Sequence, residues 1–263
     1  MGLLSNIMKK GIDKTFDRMG KVGAYLKRHI ASYDPKDVLC AFDIDMTLLQ
    51  PEHPSLYVPN VRKYFKIYQS IRKKYPTLDT TLTFLYSFLC PQRIVDPEIY
   101  SVLESIPSKK IALTATLTGP FLQFDRLDVL RYKHLKEQGI SFEGNFNNED
   151  FVLEECPSYR THYPSFYKGV LCSNSEKGNT TKGTVLCAFL RKLNWIPKCI
   201  VLVDDRVKNL RDVYNDLKKN FPSIKFIGIE YLGAHNYCPT TTTEAEFEQF
   251  WLDCFEKASH LPQ

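Results

Sequence analysis

No uncharged apolar run approaches the roughly 18 residues of a membrane-spanning helix, which excludes a multispan membrane protein. No apolar h-region with a small-residue cleavage site stands near the N-terminus, so Sec-type export is not expected. Eight cysteines are present, but none form a C-x-x-C pair, which argues against a structural zinc site. Several sit inside apolar stretches, such as Cys40 before Ala41 and Phe42, or Cys199 before Ile200 and Val201. Free cysteines in such places behave as small buried hydrophobes, and the expected location is a reducing, cytoplasmic compartment. Internal repeats and low-complexity linkers are missing too.

What remains is an ordinary globular composition. The 263 residues are 43% hydrophobic and 25% charged, enough apolar material to offset ordering entropy, and the length allows one to two domains. Charge is unevenly placed. Residues 1–30 carry seven basic and two acidic side chains, the whole net charge of +5. Leu4, Met8, Ile12, Phe16, Met19, Val22, Leu26 and Ile30 recur there at helical steps and predict a basic amphipathic helix over 1–30. It either packs its stripe on the domain behind it or makes weak contact with an anionic membrane. No nucleic-acid partner is expected.

Beyond residue 30, short apolar runs alternate with amphipathic stretches, the pattern of an α/β, Rossmann-like parallel sheet flanked by helices. Strands are predicted at Val38–Phe42, Lys110–Thr114, Gly169–Ser173, Ile200–Val203 and Lys225–Ile229. Helices are predicted at 121–138, 183–193 and 206–219, with a last one opened by a Thr243/Glu246 capping box. Residues 50–109 are too long for one crossover. They predict a mainly helical cap (Val61–Tyr75, Thr80–Leu89, Pro97–Ser105) inserted into a core of 31–49 and 110–263. Residues 140–168 predict strand and loop, with a hairpin beside the site.

Two of these strands end in paired acids. Asp43 and Asp45 follow Val38–Phe42, and Asp204 and Asp205 follow Ile200–Val203. In an open parallel sheet the carboxyl ends of the strands form the ligand crevice. Neighbouring carboxylates repel unless one holds a proton or a cation intervenes, which suits a nucleophile beside a proton donor and a hard divalent cation such as Mg2+. Thr114 and Ala115 end another strand with a hydroxyl and free amides, and Lys182 precedes a helix behind the polar lead-in 174–181.

In this order, D-x-D-x-T, strand-Thr, Lys before a helix and strand-Asp-Asp, the chain resembles haloacid dehalogenase-like hydrolases of the D-x-D-x-T phosphatase type. The similarity covers roughly residues 36–235 and points to a bacterial branch that includes proteins of intracellular pathogens. The resemblance implies that Asp43 attacks phosphorus to form an aspartyl phosphate, and that Asp45 protonates the leaving oxygen and then deprotonates water. Thr114, Ala115 and Lys182 would hold the phosphoryl group. Mg2+ would be bound by Asp43, the Asp45 carbonyl and Asp204, with Asp205 ligating or orienting and Asn209 bracing the loop. Thr47 would supply a turn-stabilising hydroxyl. The sequence departs from the pattern at Met46, where Gly or Asp is common, and at Thr116, which could take the phosphate role of Thr114.

The implied activity is Mg2+-dependent hydrolysis of a phosphate monoester, in a small molecule or a phosphopeptide. Basic clusters (Arg62-Lys63, Lys66, Arg72 to Lys74) and aromatics in 50–109 suit an anionic or aromatic leaving group such as phosphotyrosine. The alternatives are a phosphomutase, or a membrane-associated binding module or bacterial effector with a weak active site, delivered to a host cell by a specialised secretion system. In that last reading the acidic end (Glu244, Glu246, Glu248, Glu256) is a translocation signal rather than a solvated helix face. His53, His134, His162 and His235 show no ligand spacing and are read as structural.

Overall fold

A computed structural model describes residues 11–147, 150–175, 179–236 and 238–261. The first residues of the predicted N-terminal stripe, Leu4 and Met8, and part of the lead-in to Lys182 lie outside them. The strands are β1 (Lys14–Phe16), β2 (Val38–Phe42), β3 (Leu49–Pro51), β4 (Gln92–Ile94), β5 (Lys109–Thr114), β6 (Asp150–Val152), β7 (Ser165–Tyr167), β8 (Val170–Cys172), β9 (Cys199–Asp204) and β10 (Lys225–Tyr231). Eight form one sheet in the order β1-β10-β9-β2-β5-β8-β7-β6, parallel from β1 to β8 and antiparallel at β7 and β6. The fold is α/β and Rossmann-like. All five predicted strands are present, and the hairpin expected in 140–168 is β6–β7.

Each central strand is buried on both faces, so it reads as a continuous apolar run rather than an alternating one. Successive side chains still divide between the faces. Val38, Cys40 and Phe42 enter one core, with helix α1 (Met19–Ile30), while Leu39 and Ala41 enter the other.

The single N-terminal helix expected over 1–30 is interrupted within the described residues 11–30. Among the described residues from 11 to 30, Lys14–Phe16 pairs with the edge strand β10, and the helix runs over α1. The edge of β10 offers unpaired backbone groups that a short extended segment satisfies. Asp13 locks it, its amide donating to the Gly228 carbonyl at 2.7 Å and its carboxylate accepting from the Gly228 amide at 2.8 Å. Met19, Val22, Leu26 and Ile30 of α1 face inward and are buried. Gly23 costs helix propensity but allows close packing, since a Cβ there would lie 2.7 Å from Val102.

Between β2 and β5 come β3 and β4, which pair antiparallel, and helices α2 (Val58–Lys63), α3 (Phe65–Arg72), α4 (Asp79–Phe84) and α5 (Ile99–Ser105). A π-helical turn, Leu85–Leu89, follows α4. The predicted helix Val61–Tyr75 is broken at Tyr64, whose backbone leaves the helical region. The expected 50–109 segment also divides between two cores. Ile99 and Val102 of α5 pack with α1 on the main sheet, while Leu56, Ile71, Leu78 and Leu82 form a separate cluster.

The chain then continues through α6 (Leu127–Glu137), α7 (Lys182–Lys192), α8 (Val207–Asn220), α9 (Gly233–Asn236) and α10 (Glu244–Ser259). Residues 121–126, predicted as the start of α6, form a turn instead. The C-terminal α10, opened by the expected Thr243/Glu246 capping box, joins the inserted cluster through Phe247, Trp251 and Phe255. This helix therefore packs with the insertion rather than with the rest of the 110–263 core. Phe255 is fully buried between Tyr68, Tyr75 and Trp251. Phe255→Ala is expected to destabilise the protein by about 3–5 kcal/mol in denaturant unfolding, the usual cost of emptying an aromatic site. No helix among the described residues is long and apolar enough to cross a membrane.

Candidate active site

Parallel pairing sets the two acidic motifs side by side. Phe42 is in register with Val203, and the next amide, that of Asp43, donates to the Val203 carbonyl at 2.8 Å. Asp43 and Asp204 thus emerge together at the carboxyl edge of adjacent central strands, both buried.

Lys182, the first residue of α7, lies between them. Its Nζ is 2.6 Å from Asp43 Oδ1 and 2.7 Å from Asp204 Oδ2. Thr181 caps the helix by accepting from the Thr184 amide. Gly183 lets α7 approach α8, because a Cβ there would lie 2.5 Å from an Asp216 carboxylate oxygen. Asp204 also accepts from the Arg206 amide at 2.9 Å and from the Asn209 amide group at 2.9 and 3.0 Å. The bracing expected of Asn209 is therefore direct. Asp43 Oδ1 also accepts from the Ile44 amide at 2.8 Å.

Burial, then the negative charge of Asp204, pushes the Asp43 carboxyl well above the ordinary carboxylate range, with Lys182 opposing. Burial raises Asp204 as well, again against Lys182. For Lys182, burial favours the neutral amine, but Asp204 and Asp43 outweigh it and hold the ammonium above its usual value.

Asp205 completes the acidic group. Oxygens of Asp43, Asp204 and Asp205 lie within 4.8 Å of one another. His235 reaches Asp205 Oδ2 through Nε2 at 2.9 Å, and Arg62 of α2 reaches His235 Nδ1 at 2.9 Å. A guanidinium can only donate, so Nδ1 accepts and Nε2 carries the hydrogen towards Asp205. His235, expected to be structural, is thus a site residue that ties the insertion to the acids.

Asp45 points elsewhere. One oxygen is held by Arg131 of α6, while the side chain remains 43% exposed. Thr114 is fully buried, with its hydroxyl 2.9 Å from that of Thr116 and accepting from the Thr116 amide at 3.2 Å. Ala115, Thr116 and Ser175 line the cavity in its place. Thr47 does not stabilise the turn through its hydroxyl, which is buried without a hydrogen-bond partner among the described residues. The turn closes through backbone, the Leu48 and Leu49 amides both donating to the Ile44 carbonyl at 2.9 Å. Met46 adopts the left-handed region there at φ 60°, a conformation that explains why Gly suits this position.

These groups open into a cavity of about 490 Å3. Its floor is polar, with Asp43, Asp45, Lys182, Asp205 and Asn209, and its wall is apolar, with Phe84, Phe88, Phe121 and Leu127. Such an arrangement presents a buried carboxylate, a neighbouring ammonium and a group of carboxylate oxygens beside an apolar chamber. Arg131, His235 and Ser175 had not been singled out as site residues. Arg131 alone carried a signal, since it falls four residues from both Leu127 and Leu135 on the buried face of its helix.

Known proteins similar to this chain include an uncharacterized protein of Rickettsia typhi, 25% identical over 76% of this chain and 70% of that one. An uncharacterized protein of Rickettsia conorii is 24% identical over 82% and 75%. Among solved structures, a HAD family hydrolase from Salmonella enterica serovar Typhi covers 82% of this chain and 81% of its own at 13% identity, with a TM-score of 0.33. A family described as protein of unknown function, DUF2608, matches residues 15–258, and the chain belongs to that family.

Proposed function

We propose that the protein is a haloacid dehalogenase-like, Mg2+-dependent phosphatase that hydrolyses a phosphate monoester through an aspartyl phosphate on Asp43. The observation that carries this reading is the buried Asp43–Lys182–Asp204 triad at the carboxyl edge of β2 and β9, facing a chamber large enough for a phosphate and its alcohol.

The donor set fits Mg2+. It offers hard carboxylate oxygens and no sulfur, and three carboxylates against one ammonium leave a charge that a divalent cation balances. Asp43, Asp204 and Asp205 would hold the ion, with the Asp45 carbonyl. When bound, it would neutralise phosphoryl charge and align the ester. Asp43 Oδ2, the oxygen with no bond to Lys182 or Ile44, attacks phosphorus as the ester P–O bond breaks. Lys182 and the Thr116 and Ser175 hydroxyls stabilise the phosphoryl oxygens. Asp45 gives its proton to the leaving oxygen, then takes one from the water that cleaves the aspartyl phosphate.

The aromatic wall favours an aryl leaving group, as in phosphotyrosine. A second cavity of about 490 Å3, lined by Leu56, Val58, Val61 and Phe65, shares Met46, Pro51 and Tyr86 with the first and extends the apolar surface. A polyhydroxylated alcohol would leave its hydroxyls unpaired there.

The purified protein is expected to release phosphate from 4-nitrophenyl phosphate and phosphotyrosine with Mg2+, to lose that activity in EDTA, and to regain it when Mg2+ is restored. Turnover unaffected by EDTA would overturn the metal assignment. Absence of phosphate release across aryl phosphates, sugar phosphates and nucleotides would overturn the phosphatase reading.

A further inference from the structure

We propose that Arg131 is the positioning residue for Asp45, fixing the orientation of its carboxyl group at the chamber. The proposal rests on the phosphatase reading above.

Arg131 is wholly buried, yet its ion-pair partner, Asp45, is 43% exposed and lines the reaction chamber. Asp128, three residues before Arg131 on α6, is committed to Arg126 and Ser165. A fully desolvated cation beneath an active-site wall is costly unless paired, and breaking such a pair by removing one partner strands the other charge. Arg131 binds Asp45 Oδ1 through Nη2. With Oδ1 taken by an obligate donor, Oδ2 is the oxygen left for the substrate. The carboxyl is thereby held in one orientation rather than left free to rotate.

The same guanidinium fastens the insertion. Nη1 donates to the Ser87 carbonyl at 3.2 Å, and the group lies 5.6 Å from the centre of the Phe88 ring. Ser87 and Phe88 belong to the π-helical turn and form part of the chamber wall. Arg131 thus orders the proton donor and the wall against which the leaving group rests. It does not touch the chamber itself, since it is absent from its lining.

A residue that only supports the fold would slow all substrates alike. A residue that orders the proton donor matters most where the leaving oxygen is basic. The test measures single-turnover release of alcohol from phenyl phosphate and 4-nitrophenyl phosphate by the full chain with Mg2+. Arg131→Met is expected to slow phenyl phosphate by about 100-fold or more, the usual weight of a general acid, and 4-nitrophenyl phosphate by less than about 5-fold. Arg131→Lys, which keeps the charge but cannot bridge Asp45 and Ser87 together, is expected to lie between, with a loss of about 10-fold confined to phenyl phosphate. Equal losses on both substrates overturn the proposal, and if Arg131→Met does not fold, Arg131→Lys decides it alone. A crystal structure of the variant gives a readout independent of turnover. Displacement of the Asp45 carboxylate supports the positioning role, and an unmoved carboxylate refutes it, even if the wild type proves inactive and only the phosphatase reading has failed.

Discussion

Asp43→Asn is expected to lower kcat by at least about 10^4-fold on any phosphate monoester that the wild type hydrolyses, because the amide oxygen cannot form the covalent intermediate. The same change is expected to leave the fold intact. The carbonyl oxygen of the introduced amide can still accept from the Ile44 amide and from Lys182, the two partners of Asp43 Oδ1. What disappears is a buried anion held next to Asp204, and that anion is unfavourable at neutral pH. Burial and Asp204 raise the folded-state value of Asp43 above its unfolded value, so its contribution to stability is present at low pH and lost as pH rises. Removing the titrating group therefore makes the variant as stable as the wild type, or more stable, at pH 7 in EDTA. Activity measured alongside urea unfolding separates the two effects. Retention of more than a tenth of wild-type turnover would place the nucleophile elsewhere, and an unfolded variant would show that Asp43 is structural.

That contrast reflects what the sequence could and could not reveal. Asp43, Asp204, Lys182 and Asn209 were legible because each stands at the end of an apolar strand or the start of a helix, where backbone direction alone dictates the destination of the side chain. Their mutual distances follow from parallel register, Phe42 against Val203. Arg131 and His235 obey no such rule. Each reaches the site from an element whose approach depends on tertiary packing, and an arginine among leucines reads as an exposed residue until its partner is known. The direction of the Thr114 hydroxyl was hidden for a related reason. Its strand position was right, but the hydroxyl turns inward to Thr116, a one-turn detail of the loop beyond β5 that spacing does not encode.

The fold shows the same division. Central strands were legible as continuous apolar runs because both faces are covered. The N-terminal segment was not, because helical periodicity in Ile12 and Phe16 competes with an unsatisfied sheet edge, and the edge wins through hydrogen bonds that local pattern does not register. The insertion was visible as a length excess, but its limits depend on contacts far apart in sequence. Wrapping α10 onto α3 and α4 required knowing that Trp251 and Phe255 meet Tyr68 and Tyr75.

Lys182→Met tests the electrostatic core of the site in the opposite sense to Asp43→Asn. The lysine side chain is 2% exposed and is the ammonium shared by two buried carboxylates. Its removal leaves both anions uncompensated, a change that typically costs about 3–5 kcal/mol. At about 2–4 °C per kcal/mol for a chain near this size, Tm in EDTA is expected to fall by roughly 6–20 °C at pH 7.5. The sign with pH follows from the carboxyls. Both already sit above their ordinary range through burial, and losing Lys182 removes the influence that opposed the rise. Groups whose folded-state values are raised stabilise below the unfolded value and lose that contribution as pH increases, so the deficit is largest in neutral to alkaline solution and shrinks towards pH 5 as the carboxyls protonate. Mg2+ is expected to recover part of the loss at pH 7.5, since a cation bound to the same oxygens replaces the missing charge and stabilises by mass action. Turnover is not expected to recover in step, because in the proposed mechanism the ammonium also contacts the phosphoryl group, and its loss is expected to cost about 10^2–10^3-fold in kcat. A deficit that is independent of pH and insensitive to Mg2+ would show that Lys182 acts through packing alone, and the charge-balance argument for a divalent cation at Asp43, Asp204 and Asp205 would go with it.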